Sequence, residues 1–247
     1  MTRSYDALVL AGGAARRLGG TDKPALAVGG LMLLDRVLAA CADARTTVVV
    51  GPRRPTARPV RWTREEPAGG GPLPALAAGL AALDAAHAAP GRPGTQGQHG
   101  TLVPHAAPGL DNTGLDGGTG LDSPVLDGTV HDGGIVLVLA ADLPFLTAAT
   151  TGALADALTG DREGVLLTDA GGRDQPLAAA YRSEPLRREL ALLRAEHGHL
   201  TGLPLRLLTG ELALHRIADP TGDASFDCDT WEDVAVARAR LDGGTPE

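Results

Sequence analysis

Short apolar runs alternate along the chain with longer stretches whose apolar positions recur every three to four residues. YDALVL (5–10), TTVVVG (46–51) and IVLVLAA (135–141) read as strands, and the last is apolar at every position, as expected of a strand covered on both faces. LMLLDRVLAACADA (31–44), PLPALAAGLAALDAA (72–86) and TAATTGALADAL (147–158) read as the helices between and after them. In the first of these helices Leu34, Val37, Leu38 and Cys41 fall at i, i+3, i+4 and i+7, which makes one buried stripe. The second half adds GVLLTDA, QPLAAAY, a charged helix over 183–196 and LALHRIA. A last helix is opened by Thr230 with Asp233 three residues on, a capping-box pattern. Strand alternating with helix implies parallel strands joined by right-handed crossovers. The expected fold class is therefore α/β, a mostly parallel central sheet flanked by helices, with residues 1–247 forming a single domain.

One stretch breaks the rhythm. Residues 87–133 are dominated by Gly, Pro, Thr, Asp and Ala, contain no aromatic residue and carry one cation, Arg92. Such a composition buries too little apolar surface to offset its ordering entropy, so a disordered insertion within the domain is expected there. It repeats GLD loosely and holds His87, His99, His105 and His131, but neither the repeat length nor the histidine spacing fits a metal-binding pattern.

The formal charge of −8 argues against binding nucleic acid or an anionic membrane by bulk electrostatics, and no apolar run approaches the length that spans a bilayer. The expectation is a cytoplasmic protein that meets any anion locally. Cys41 and Cys228 have no CxxC spacing and read as core positions.

Local cations and glycines do occur together, immediately after the first strand. In LVLAGGAARRLGGTDKPALAVGG (8–30) an apolar run stops at Gly12 and Gly13, and Arg16, Arg17 and Lys23 follow. Glycines let the backbone approach a phosphate closely and point N–H groups at it. The spacing matches neither GxxxxGK[ST] nor GxGxxG, so this is a phosphate loop of another kind.

The segment LAGGAARRLGGTDK resembles the LAGGxSxRMGxDK signature of the molybdenum cofactor guanylyltransferases, within the wider nucleotidyltransferase family. VVVGPRR (48–54), EEPAGGGPLPAL (65–76), VLAADLPFL (138–146), GRDQPLAAAY (172–181) and FDCDTWEDV (226–234) follow in the order of that family's segments. The resemblance implies a Rossmann-like nucleotidyltransferase fold and transfer of GMP from GTP to a phosphorylated, pterin-type acceptor, with release of pyrophosphate. It implies that Leu10, Ala11, Gly12, Gly13 and Gly51 bind nucleotide, and that Arg17 and Lys23 neutralise β- and γ-phosphate oxygens. Glu66 stands where the family reads the base with an acidic residue. Asp142, at the carboxyl end of a buried run, takes the catalytic position at the nucleotide and a place on Mg²⁺, with Asp229 as second metal ligand and Asp227 as its alternate. Asp22 reads as a residue that fixes the loop by bonding its backbone, Trp231 as packing, and His197, His199 and His215 as structural or exposed. Molybdoenzyme maturation proteins are implied as partners.

Three alternatives stay open at this point: a cytidylyltransferase, a guanylyltransferase acting on another phosphorylated metabolite, and a nucleotide-binding module without catalysis. The AGG triplet favours the guanylyl branch. Asp227 and Asp229 replace asparagines of the family pattern, and HGHLTGLPLRLLTG (197–210) replaces a more basic segment.

Overall fold

The computed structural model describes residues 3–13, 18–88, 134–219 and 221–242. In chain order the elements are β1 (Tyr5–Leu10), a 3-10 turn at Lys23–Ala25, β2 (Ala27–Val28), β3 (Leu31–Met32), α1 (Leu33–Ala40), β4 (Thr47–Val50), β5 (Arg61–Thr63) and α2 (Pro72–Ala88). They continue as β6 (Ile135–Ala140), α3 (Ala148–Ala157), β7 (Gly164–Thr168), β8 (Asp174–Arg182), α4 (Ser183–His197), α5 (Arg206–Thr209), β9 (Leu214–Ala218) and α6 (Trp231–Asp242). Among the described residues no helix is long and apolar enough to cross a membrane.

Seven strands form one sheet in the order β5-β4-β1-β6-β8-β7-β9. Pairing is parallel throughout except at β8, which runs antiparallel to both β6 and β7. Alternation along β1 explains why both faces are covered. Tyr5, Ala7 and Val9 pack with Leu34, Val37 and Leu38 of α1 and Leu154 of α3, whereas Leu8 and Leu10 pack with Leu73, Leu76 and Leu80 of α2 and Leu186 and Leu190 of α4. Full burial of each large apolar side chain contributes about 1.5–3 kcal/mol, so the two layers hold the sheet edge to edge. Gly79 lets α2 lie close, because a Cβ there would stand 3.1 Å from side-chain atoms of Leu8 and Val50.

The chain proceeds from β1 to β4 and β5 on one side, then crosses to β6 on the other. The carboxyl ends of β1 and β6 thus flank the switch point where α/β sheets bind ligands. There the Ala141 amide donates to Leu10 O at 3.1 Å and holds the two strand ends together.

Two expectations need correction, and one strand was not anticipated. Leu31 and Met32 do not begin the first helix; they pair with Val28 and Ala27 across Gly29 and Gly30, both at positive φ as a glycine hairpin turn requires, and α1 starts at Leu33. The strand β5 carried little signal, since an edge strand of three residues with Arg61 and Arg64 at its ends has no apolar run. At the expected insertion, α2 continues through Ala88, so His87 is helical; residues 89–133 lie outside those described. The capping box at Thr230 does form, with Thr230 N donating to Asp233 Oδ2 at 2.7 Å and Asp233 N to Thr230 Oγ1 at 3.2 Å.

Candidate active site

A cavity of about 660 Å³ opens at the carboxyl ends of β1 and β6. Leu10, Gly12 and Gly13 form one wall, Ala140, Ala141 and Asp142 the next, and Glu65, Gly69 and Gly71 close it from the segment leading into α2. Lys23, Leu177 and Asp229 also line it.

Lys23 is the electrostatic centre. Its Nζ is paired with Asp142 Oδ2 and donates to Asp229 Oδ1 at 2.6 Å, and the lysine and Asp142 side chains are only 14% and 15% exposed. Burial works against the charged ammonium, but the charge of Asp142 and the bonds to Asp142 and Asp229 outweigh it and hold the Lys23 pKa above the ordinary value. Asp227 joins this group, with one carboxylate oxygen from each of Asp142, Asp227 and Asp229 lying within 4.8 Å of the others. Desolvation, then the like charges of Asp229 and Asp142, raise the Asp227 pKa.

Two of the residues lining this cavity, Asp142 and Glu65, each carry a buried carboxylate oxygen, Oδ1 and Oε2, without a hydrogen-bond partner among the described residues. A buried carboxylate oxygen left unpaired costs free energy. Three carboxylates grouped around an unpaired oxygen are the hard donor set that suits Mg²⁺, and Asp142, Asp229 and Asp227 could hold it.

The glycine loop is built as the sequence suggests at its start. Leu10, Gly12 and Gly13 line the cavity, and Gly13 takes φ 135°, which a side chain would resist. Ala11 is buried and faces inward, its N–H donating to Val50 O at 2.8 Å, so it supports the loop from beneath. Arg17 lies outside the described residues, as does Arg16.

Gly51 and Glu66 are placed differently from expectation. Gly51 does not line the cavity; a Cβ there would come within 2.8 Å of the Ala11 carbonyl carbon and oxygen, so the glycine lets the end of β4 press against the phosphate loop. Glu66 is exposed and does not line the cavity either, while its neighbour Glu65 lines it, is 5% exposed, and accepts from the Gly69 N–H at 2.9 Å through Oε1. Nothing in the EE pair marks which residue turns inward; the choice is made by the turn at 67–70, which needs a carboxylate to accept the Gly69 amide.

Among the described residues Asp22 bonds no nearby backbone through its side chain. It takes a forked pair from Arg54, with Nε to Oδ2 at 3.0 Å and Nη2 to Oδ1 at 2.6 Å. Arg54 has no motif signal of its own beyond its place after β4. Trp231 is 49% exposed beside Asp229 and is not a core residue.

The family model for the MobA-like NTP transferase domain matches residues 7–207, which takes in the glycine loop, Lys23, Glu65 and Asp142. The chain belongs to this family. Among solved structures, molybdopterin-guanine dinucleotide biosynthesis protein A from Archaeoglobus fulgidus superposes with a TM-score of 0.62 at 16% identity, covering 97% of this chain and 100% of that one. The 2-C-methyl-D-erythritol 4-phosphate cytidylyltransferase from Thermus thermophilus does so with a TM-score of 0.55 at 17% identity, covering 97% and 100%. No curated protein sequence matches the chain. At these identities the structural likeness concerns the fold, a Rossmann-like nucleotidyltransferase sheet.

Proposed function

We propose that this protein is a guanylyltransferase that joins GMP from GTP to a phosphorylated, pterin-type acceptor of the molybdenum cofactor. One observation carries the reading: Lys23 bridges Asp142 and Asp229 in a cavity that the glycine loop and the buried carboxylate-bearing Glu65 also line. An acceptor phosphate oxygen attacks the α-phosphorus of GTP, the bond to the β-phosphate oxygen breaks, and pyrophosphate leaves with that electron pair. Such in-line transfer depends on positioning and charge neutralisation more than on covalent help. Gly12 and Gly13 bring backbone N–H groups to the phosphates, while Lys23 and Arg17 supply positive charge to the oxygens of the leaving pyrophosphate. Mg²⁺ held by Asp142 and Asp229, with Asp227 beside them, would supply further charge neutralisation. Glu65, rather than Glu66, accepts the N1–H and N2–H groups of guanine, a pair of donors that adenine lacks.

The same geometry supports cytidylyl transfer or another phosphorylated acceptor, so the deciding experiment varies both substrates. The purified protein is incubated with each of the four nucleoside triphosphates, Mg²⁺ and either molybdopterin or a simpler phosphomonoester, and products are weighed by mass spectrometry. A GMP adduct of molybdopterin, formed from GTP alone, is the expected result. A CMP adduct would move the protein to the cytidylyl branch, and nucleotide binding without any adduct would make it a binding module. Activity is expected in the cytoplasm, with molybdoenzyme maturation proteins receiving the product.

A further inference from the structure

We infer that Arg54 is a positioning residue for the transfer, clamping both ends of the glycine loop so that Lys23 meets the triphosphate in register. This rests on the nucleotidyl-transfer reading above. The Arg54 side chain is only 8% exposed although its partner Asp22 is 54% exposed, so the guanidinium is built into the fold and the carboxylate comes to it. Its Nε and Nη2 fork onto the two oxygens of Asp22, and Nη1 reaches Ala11 O at 3.4 Å. Ala11 opens the loop and Asp22 closes it, directly before Lys23. One planar cation therefore ties the entry of the loop to its exit, eleven residues of chain later in the same cradle that Gly51 makes by pressing on Ala11.

The bonds of Lys23 to Asp142 and Asp229 hold the ammonium at that exit, while the backbone before it has few anchors among the described residues. Thr21 Oγ1 donates to Leu18 O at 2.7 Å, which closes a turn within the loop and does not anchor it to the sheet. The 3-10 turn at Lys23–Ala25 begins at Asp22 with no side-chain cap, because the carboxylate that could cap it is held by Arg54. A lysine cannot replace this arrangement, since a point charge cannot fork across a carboxylate and reach a carbonyl at once. Loss of the clamp leaves the core untouched but frees Lys23 to move relative to Asp142.

The test compares Arg54→Lys, Asp22→Asn and the double variant in three measurements on the full chain: thermal melting, GTP binding by calorimetry, and steady-state transfer. Each single variant is expected to melt close to the wild type and to lose about ten- to a hundred-fold in kcat/KM, and the double variant should be no worse than either single, because the pair acts as a unit. Free guanidinium ion should restore part of the rate to Arg54→Ala. A fourth readout needs no activity: amide exchange at Ala25 and Leu26, which bond to Asp22 O and Lys23 O, should quicken in Arg54→Lys while exchange in β1 stays unchanged. Losses that multiply in the double variant, unchanged kcat/KM in Arg54→Lys, or unchanged exchange at Ala25 and Leu26 would each overturn the inference. If the exchange quickens but the wild type binds no nucleotide, the clamp stands and the functional reading falls.

Discussion

Lys23 and Asp229 stand 206 positions apart in the chain and meet through a 2.6 Å bond. With Asp142 on its other side, the same ammonium, carried by the 3-10 turn before β2, gathers residues from the end of β6 and the approach to α6. One cation thus balances two carboxylates, and Asp227 adds a third negative group beside them.

Removing that cation should make the protein depend on a divalent ion for stability. Lys23→Gln leaves three crowded carboxylates; breaking a buried pair costs about 3–5 kcal/mol, and the 48% exposure of Asp229 reduces this to about 1–3 kcal/mol. Melting without Mg²⁺ should fall by several degrees, and added Mg²⁺ should raise it more than in the wild type. An equal Mg²⁺ response in both proteins would mean that the ion does not reach this cluster.

Asp142→Asn keeps the size of the side chain and leaves the backbone bond from Cys228 N to Asp142 O in place. The fold should persist while kcat drops about a hundred-fold or more, the scale of losing one fixed electrostatic stabiliser. Turnover at saturating Mg²⁺ within a few-fold of the wild type would take Asp142 out of the chemistry.

Glu65 and Glu66 offer a paired experiment on base recognition. Glu65→Gln replaces an acceptor oxygen with an NH₂ that meets a guanine donor, and a charge-assisted bond is worth about 1.5–3 kcal/mol, so GTP affinity should fall about ten- to a hundred-fold. ATP binding should change little in Glu65→Gln, and neither nucleotide should notice Glu66→Gln. Calorimetric titration of both variants decides the matter: equal losses for GTP and ATP would make Glu65 a support for the Gly69 turn.

Gly51→Ala should damage the phosphate loop from below. The new methyl would press on the Ala11 peptide, a backbone contact that cannot swing away, at a residue held at φ 147°. A cost of about 1–3 kcal/mol in denaturant unfolding is expected, together with weaker nucleotide binding. Wild-type stability in this variant would show that the loop gives way at no cost.

Burial pushes the Cys41 thiol up to about 11 from its ordinary 9.0. The native state then keeps a proton that the unfolded chain releases, so the contribution of Cys41 is complete below pH 9.0 and is lost as the pH climbs towards 11. Cys41 should resist alkylation at pH 8 until the protein unfolds, and wild type should lose stability relative to Cys41→Ala between these pH values. Ready labelling of native Cys41 would contradict its burial against Leu38 and Ala40.

The parts of the fold that were legible in the sequence are those with a period. Apolar runs marked β1, β4 and β6, and the stripe Leu34, Val37, Leu38 marked α1, because burial on both faces writes itself directly into composition. The loop and Asp142 could be placed beside each other because both directly follow strands whose apolar runs mark them, β1 and β6. The inward turn of Glu65, the forked pair of Arg54 and the support role of Gly51 were not readable. Each depends on where two segments distant in sequence come to lie, and a carboxylate, a guanidinium or a glycine looks the same on paper whether it faces ligand, partner or solvent.

At the opposite end of β1 from the cavity, Asp6 Oδ2 accepts from Arg45 at 2.6 Å and lies 3.4 Å from His87 Nε2, near the end of α2. Gly134, where the described chain resumes, packs against the same Arg45. Four residue steps along the strand, about 13 Å, separate Asp6 from Leu10 at the cavity. The described segments ending at Ala88 and resuming at Gly134 therefore meet at neighbouring points on the far side of the sheet from the cavity. An engineer seeking a place to attach a reporter or tether away from the glycine loop finds it at these two ends, already brought together around Asp6.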